Sequence, residues 1–172
     1  CVIGHLREEK DSRRALAALR HIPAEPRIEL LQLGDSLDEA LAREARRGMA
    51  CDPRYRWLES VPHARALRFL ASSHAMVISS RMEGGANVVS EAVRIGVPVL
   101  ASCISGNVGL LGEDYPGTYP LGDERALAAL VTEVATGPRF YRELKKRIAR
   151  LRPMVAPGNE ARMLRKAIEN AC

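Results

Sequence analysis

Short apolar runs alternate along this chain with longer segments whose apolar residues recur every three or four positions, the signature of buried strands joined by helices. Cys1-Val2-Ile3 reads as a strand ending at Gly4. After the loop from His5 to Lys10, Asp11 or Ser12 can cap a helix with Leu16, Leu19 and Ile22 at helical spacing, and Pro23 and Pro26 end it. Arg27 to Leu33 is a second strand, closed by Gly34. Ser36-Leu37-Asp38-Glu39 has the form of a capping box, so a helix follows to about Gly48. Tyr55 to Leu58 is a third strand, and Val61-Pro62 turns the chain into a helix near Ala64 to Ser72. A fourth strand, Met76 to Ser79, runs into a glycine loop, and Val88 to Ile95 forms the helix beyond it.

Gly96 stops that helix, and Val97 to Ala101 is a fifth strand. Ser105-Gly106-Asn107-Val108-Gly109 reads as a second glycine-containing loop, either approaching a ligand through its backbone or forming an ordinary turn. Tyr119-Pro120-Leu121 is a short edge strand, Asp123 caps a helix to about Ala135, and a basic helix spans roughly Phe140 to Arg150. An amphipathic helix, Glu160 to Ile168, comes last. The alternation predicts an α/β fold, a Rossmann-like parallel sheet with helices on both faces. In such sheets ligands bind beyond the carboxyl ends of the strands. Residues 5–10, 59–63, 80–87 and 102–109 all follow strands and should gather there.

The stretch Ser79-Ser80-Arg81-Met82-Glu83-Gly84-Gly85-Ala86-Asn87-Val88-Val89-Ser90-Glu91 carries the most chemistry. A glycine-preceded helix N-terminus presents unpaired N–H groups and attracts anions. Two glutamates beside it would repel an anion, so hydroxyl groups are their natural partners. Asn87 and Glu91 lie four apart, on one helix face, and helical side chains lean toward the N-terminus, which aims Glu91 at the loop. The competing reading makes Glu91 a solvated helix residue and Glu83 a helix-dipole partner. Arg7 and Lys10 can hold a diphosphate, or can belong to an exposed loop paired with Glu8 and Glu9. The ligand this favours is both phosphorylated and rich in hydroxyls, such as a sugar nucleotide.

Composition changes the picture little. The 172 residues are 47% hydrophobic and 27% charged, suited to one globular domain, 1–172, with a net charge of +5 that fits an anionic small ligand. Aromatics make up 4%, too few for a base-stacking nucleic-acid surface. No apolar run approaches the ~20 residues of a membrane span, and no signal peptide is visible. The cysteines at 1, 51, 103 and 172 lack metal or redox spacing and read as reduced thiols of a cytoplasmic protein. His5, His21, His63 and His74 show no triad pairing and read as structural or surface residues, with His5 in the phosphate-facing loop; Trp57 reads as core. Because the chain opens on a strand already under way, a fragment with an upstream part missing is expected.

The block from Ser80 through Asn87 and Glu91-Ala92 to Gly96-Val97-Pro98-Val99-Leu100-Ala101-Ser102 resembles the glutamate–seven–glutamate motif and glycine–proline strand of group-1 (family 4) retaining GT-B glycosyltransferases, in their carboxyl-terminal, donor-binding half. The resemblance covers residues 1 to about 135. The wording Glu-Gly-Gly-Ala-Asn, with Gly106-Asn107-Val108-Gly109-Leu110-Leu111-Gly112-Glu113-Asp114-Tyr115-Pro116, is similar to the selenosugar synthases of selenoneine biosynthesis, which couple a UDP-sugar to selenophosphate. The resemblance implies that Glu91 binds the ribose hydroxyls and Glu83 those of the transferred sugar. It places Gly84, Gly85, Ala86 and Asn87 against sugar and phosphate, Lys10 on the diphosphate, and residues 59–62, with Ser60 and Val61, at the base. Gly4 and His5 begin the phosphate loop; His5 stands where the family usually has arginine, and Arg7 can substitute. With Glu83, Arg7 and Lys10 as the catalytic set, the implied chemistry needs no protein nucleophile, metal or cofactor. It also implies an acceptor-binding N-terminal domain that this chain lacks, and hence no turnover by this chain alone. A non-catalytic nucleotide-binding module and half of a sugar-nucleotide epimerase are the alternatives.

Overall fold

The computed structural model describes residues 1–25, 27–82, 87–156 and 158. Six strands form one wholly parallel sheet: β1 (Val2–Ile3), β2 (Leu30–Leu33), β3 (Tyr55–Trp57), β4 (Met76–Ile78), β5 (Val99–Ser102) and β6 (Thr118–Tyr119). Their spatial order is β3-β2-β1-β4-β5-β6. The chain builds outward from β1 in one direction, then returns to lay β4 against the other side of β1. That reversal leaves a crevice beyond the carboxyl ends of β1 and β4. Every residue of β4 and β5 is buried, so both sheet faces are covered. The covering helices are α1 (Arg14–Leu19), α2 (Glu39–Cys51), α3 (His63–Ser72), α4 (Asn87–Ile95), α5 (Ser105–Leu111), α6 (Glu124–Thr136) and α7 (Pro138–Leu151). α1 packs on α6, α3 on α4, and α7 on both α4 and α6.

Several predicted boundaries move, each for a visible reason. Neither Asp11 nor Ser12 caps α1. Asp11 adopts φ 43° and buries its carboxylate, while Ser12 turns its hydroxyl back on the loop; helix begins only at Arg14. In the capping box, Asp38 rather than Ser36 is the cap: its carboxylate accepts from the N–H groups of Ala40 and Leu41. Gly48 does not end α2 but lies inside it, because a Cβ there would sit 2.5 Å from the Leu16 side chain. The second strand shortens to its last four residues, and the fifth starts at Val99 because Val97 and Pro98 still belong to the turn after α4. The segment 105–109, read as a loop, is helical; Asn107 and Leu111 supply its buried face. The edge strand β6 pairs with β5 as Thr118–Tyr119, one residue earlier than expected. The helix predicted over 160–168 lies outside the described residues.

Beyond the strand ends the ladder continues through loop backbone. The Gly4 N–H donates to Leu33 (2.8 Å), Leu6 N–H to Asp35 (2.8 Å), and Gly34 N–H to Glu59 (2.9 Å). Gly34 makes this possible. Its φ is +132°, and a Cβ would stand 2.2 Å from the Gly4 carbonyl oxygen. Gly34→Ala should therefore push the β1 loop off its seat and lower stability by about 1–3 kcal/mol. Urea denaturation measures this, and a wild-type midpoint would show that the loops do not need that approach.

Candidate functional site

The crevice is walled on one side by the loop after β1, residues 4–13, and on the other by the end of β4. Ser79 joins them. Its buried hydroxyl lies 3.1 Å from the Lys10 carbonyl oxygen and 3.0 Å from that of Asp11, donating into the turn. Two residues on, the Arg81 N–H donates to the Glu9 carbonyl at 2.8 Å. Ser12 tightens the loop from within: its hydroxyl accepts from the Arg7 N–H (3.2 Å) and contacts the Arg7 carbonyl (3.3 Å). The Asp11 carboxylate, almost fully buried, binds the Arg14 guanidinium at 2.9 Å and stands 4.0 Å from that of Arg81. Arg14 continues to Glu124 at the start of α6. A buried carboxylate is tolerable only with such partners.

On the far side, the Ser102 hydroxyl donates to the Ser80 carbonyl at 2.7 Å. The Asn107 amide then donates to the Ser102 carbonyl at 2.9 Å. Asn107 is buried, and among the described residues its side-chain oxygen has no hydrogen-bond partner. The Tyr119 hydroxyl donates to the Ile78 carbonyl at 3.3 Å; burial raises the Tyr119 pKa, and the Asp11 carboxylate adds to the rise. The end of β4 is thus gripped from β1, β5 and β6 at once.

α4 leaves this end of the sheet. Val89, Ala92 and Val93 are buried, whereas Asn87, at its start, is exposed. Its carboxyl end is covered by cations. Lys145 donates to the Gly96 carbonyl (2.9 Å), and Arg152 donates to those of Arg94 (3.1 Å) and Ile95 (3.0 Å). The amino end, with N–H groups that no intrahelical carbonyl can satisfy, faces the crevice.

Glu91 lies on the second turn of α4, with its side chain 21% exposed. Its Oε1 is 2.7 Å from Nε2 of His63, the first residue of α3. His63 is exposed, as expected of a surface residue, and its contact with Glu91 adds to that reading. A lone histidine after Val61-Pro62 carries no signal of a partner 28 residues away. Arg7 is half-exposed and stands 3.6 Å from Glu9 in a weak surface pair. Lys10 is half-buried, on the same loop. Gly4 and Val61 are half-buried, and His5 and Ser60 are exposed, all at the carboxyl edge of the sheet. Glu83, Gly84, Gly85 and Ala86 lie outside the described residues. Gly106 and Asn107 turn inward as helix, and Asn107 acts on Ser102.

Among the described residues, no group of three or more His, Cys, Asp or Glu is placed to hold a metal ion. No described helix is long and apolar enough to cross a membrane. Cys1, Cys51 and Cys103 are free thiols. A cavity of about 630 Å³ lies near the opposite, amino ends of the strands, between Ile22, Ile28, Ala75, Leu127, Val131 and Val134. It is mainly apolar and offers no helix N-terminus to an anion.

No curated protein is significantly similar to this chain in sequence. Similar folds occur among solved structures. HepE from Anabaena, in complex with UDP and glucose, superposes with a TM-score of 0.81 at 18% identity, over 98% of this chain and 48% of its own. Its complex with UDP gives 0.82 at the same identity and coverage. The lipopolysaccharide outer core galactosyltransferase WaaB, in its apo form, gives 0.78 at 19% identity, over 99% of this chain and 48% of its own. The chain thus spans about half the length of the structures it matches. The family model for glycosyl transferases group 1 matches residues 1–150, and the chain belongs to that family.

Proposed function

We propose that this chain is the donor-binding half of a retaining hexosyltransferase that uses a UDP-sugar. The observation that carries the reading is the placement of Glu91. It is a half-buried carboxylate on the second turn of α4, and α4 begins where the glycine loop ends. A carboxylate there accepts two vicinal hydroxyls, and the helix N-terminus in front of it accepts an anion. A nucleoside diphosphate carries both groups. Glu91 takes the ribose, residues 59–62 with Ser60 and Val61 face the base, and Lys10, Arg7, His5 and the Gly4 backbone line the diphosphate. Glu83 and residues 84–87 take the sugar. The UDP complexes of HepE, a protein of the same fold, support a nucleotide diphosphate as the ligand class.

In the transfer, the bond between the anomeric carbon and the diphosphate oxygen breaks, and its electron pair leaves with UDP. The new bond forms on the same face of the sugar. Charge develops on the leaving phosphate, and in this reading Lys10, Arg7 and the α4 amides stabilise it. No cofactor or protein nucleophile is invoked. The acceptor enters from an N-terminal domain outside this chain, so this chain alone binds donor and turns nothing over. The Glu-Gly-Gly-Ala-Asn wording at 83–87 and the segment from Gly106 to Pro116, which resemble those of selenosugar synthases, favour selenophosphate as acceptor.

Two calorimetric titrations test the assignments. UDP should bind the wild-type chain, and Glu91→Ala should weaken it by about tenfold or more, the loss of a charge-assisted hydrogen bond. Equal affinity in the variant would remove Glu91 from the ribose. Lys10→Ala should lower UDP affinity by about tenfold while leaving uridine affinity within about twofold. A parallel loss for both ligands would mean that Lys10 shapes the loop rather than meeting phosphate.

A further inference from the structure

Glu91 does not stand alone, and its partner comes from a different helix. His63 opens α3 directly after Pro62, which occupies the N-cap with φ −55° and ψ 141°. This entry places the imidazole at the side of α4, against which α3 packs. Nε2 of His63 then lies 2.7 Å from Oε1 of Glu91. An ionised carboxylate can only accept, so Nε2 carries the proton; the neutral Nε2–H tautomer is sufficient.

We propose that His63 is a positioning residue for the ribose of a nucleoside diphosphate: it holds the Glu91 carboxylate in the orientation that accepts the two ribose hydroxyls. The inference rests on the donor-site reading of Glu91. Two oxygens of a carboxylate offer about four acceptor positions, and the imidazole uses one. Oε2 remains whole, and Oε1 keeps a second position, enough for both hydroxyls of a vicinal diol. The imidazole therefore supports the ligand rather than competing with it. A free glutamate has three side-chain torsions that a ligand would have to freeze. His63 freezes them beforehand and lowers the entropic cost of binding.

Stability does not account for the pair. The His63 side chain is 70% exposed, and an ion pair or hydrogen bond so open to water adds little to folding. A nucleotide seated on Glu91 would exclude water from it and strengthen it. The pair also couples two parts of the site. Residues 59–62, the segment facing the base, end in the N-cap of the helix that carries His63. Base and ribose recognition are thereby fixed to one another through a single side chain.

The test uses calorimetric titration with two probes, UDP and 2′,3′-dideoxyuridine 5′-diphosphate, against wild type, His63→Ala and His63→Gln. His63→Ala should bind UDP about three- to tenfold more weakly and the dideoxy nucleotide as wild type does. His63→Gln, whose amide nitrogen can donate from nearly the same place, should recover most of the UDP affinity. Adding His63→Ala to Glu91→Gln should weaken UDP no further, and the melting temperature of His63→Ala should match wild type. An equal loss for both nucleotides, or UDP binding by His63→Ala that is unchanged or tighter, would overturn the positioning role while leaving Glu91 at the ribose. Failure of the wild-type chain to bind UDP would instead overturn the donor reading and this inference with it.

Discussion

The site depends on one junction, where the loop after β1 is tied to the end of β4. A parallel sheet that reverses its building direction leaves a crevice between its two central strands, and a loop crossing that crevice has no strand neighbour to satisfy its backbone. Here Ser79 and Arg81 provide the partners. The Ser79 hydroxyl donates into the Lys10–Asp11 turn, and the Arg81 N–H closes on Glu9. Each bond is modest in net energy, but leaving any of these carbonyls buried and unpaired would cost about 1–3 kcal/mol. The tie also brings the Asp11 carboxylate within reach of Arg14 and Arg81. The loop that carries Lys10 and Arg7 is therefore held at the crevice by backbone bonds.

α4 is the second constraint. Its apolar face is locked on the sheet by Val89, Ala92 and Val93, and its carboxyl end is neutralised by Lys145 and Arg152 from the α7 region. With one end already compensated, the partial positive charge at the other end is what the proposed ligand meets. The same helix carries Glu91 one turn further in, so the proposed anion-binding and hydroxyl-binding groups move as one rigid body. His63 then anchors the carboxylate to α3.

The fold was legible because its strands are short apolar runs buried on both faces. Met76-Val77-Ile78 and Val99-Leu100-Ala101 cannot be read as a half-exposed sheet, and Pro98 and Gly96 mark where a helix has just ended. What the pattern did not yield is local and has physical causes. Asp11 looked like a helix cap, since aspartate caps helices, but Arg14, three residues on and itself tied to Glu124, gave its carboxylate a partner instead. Residues 105–109 looked like a loop because glycine is a poor helix former. Burial of Asn107 against Ser102 outweighed that propensity. Of the candidate site, the position of Glu91 on the helix beyond the glycine loop was legible from its spacing to Asn87, and that of the β1 loop from its place after a strand. His63 was not, because a contact between the first residue of one helix and the second turn of another has no sequence spacing to betray it.

A crystal structure of the chain with UDP is the most direct test of the account. The account predicts the ribose hydroxyls within hydrogen-bond distance of the Glu91 carboxylate, the Glu91–His63 contact retained, and the diphosphate between the β1 loop and the start of α4. UDP bound elsewhere, such as in the apolar cavity at the amino ends of the strands, or with its ribose turned away from Glu91, would contradict it.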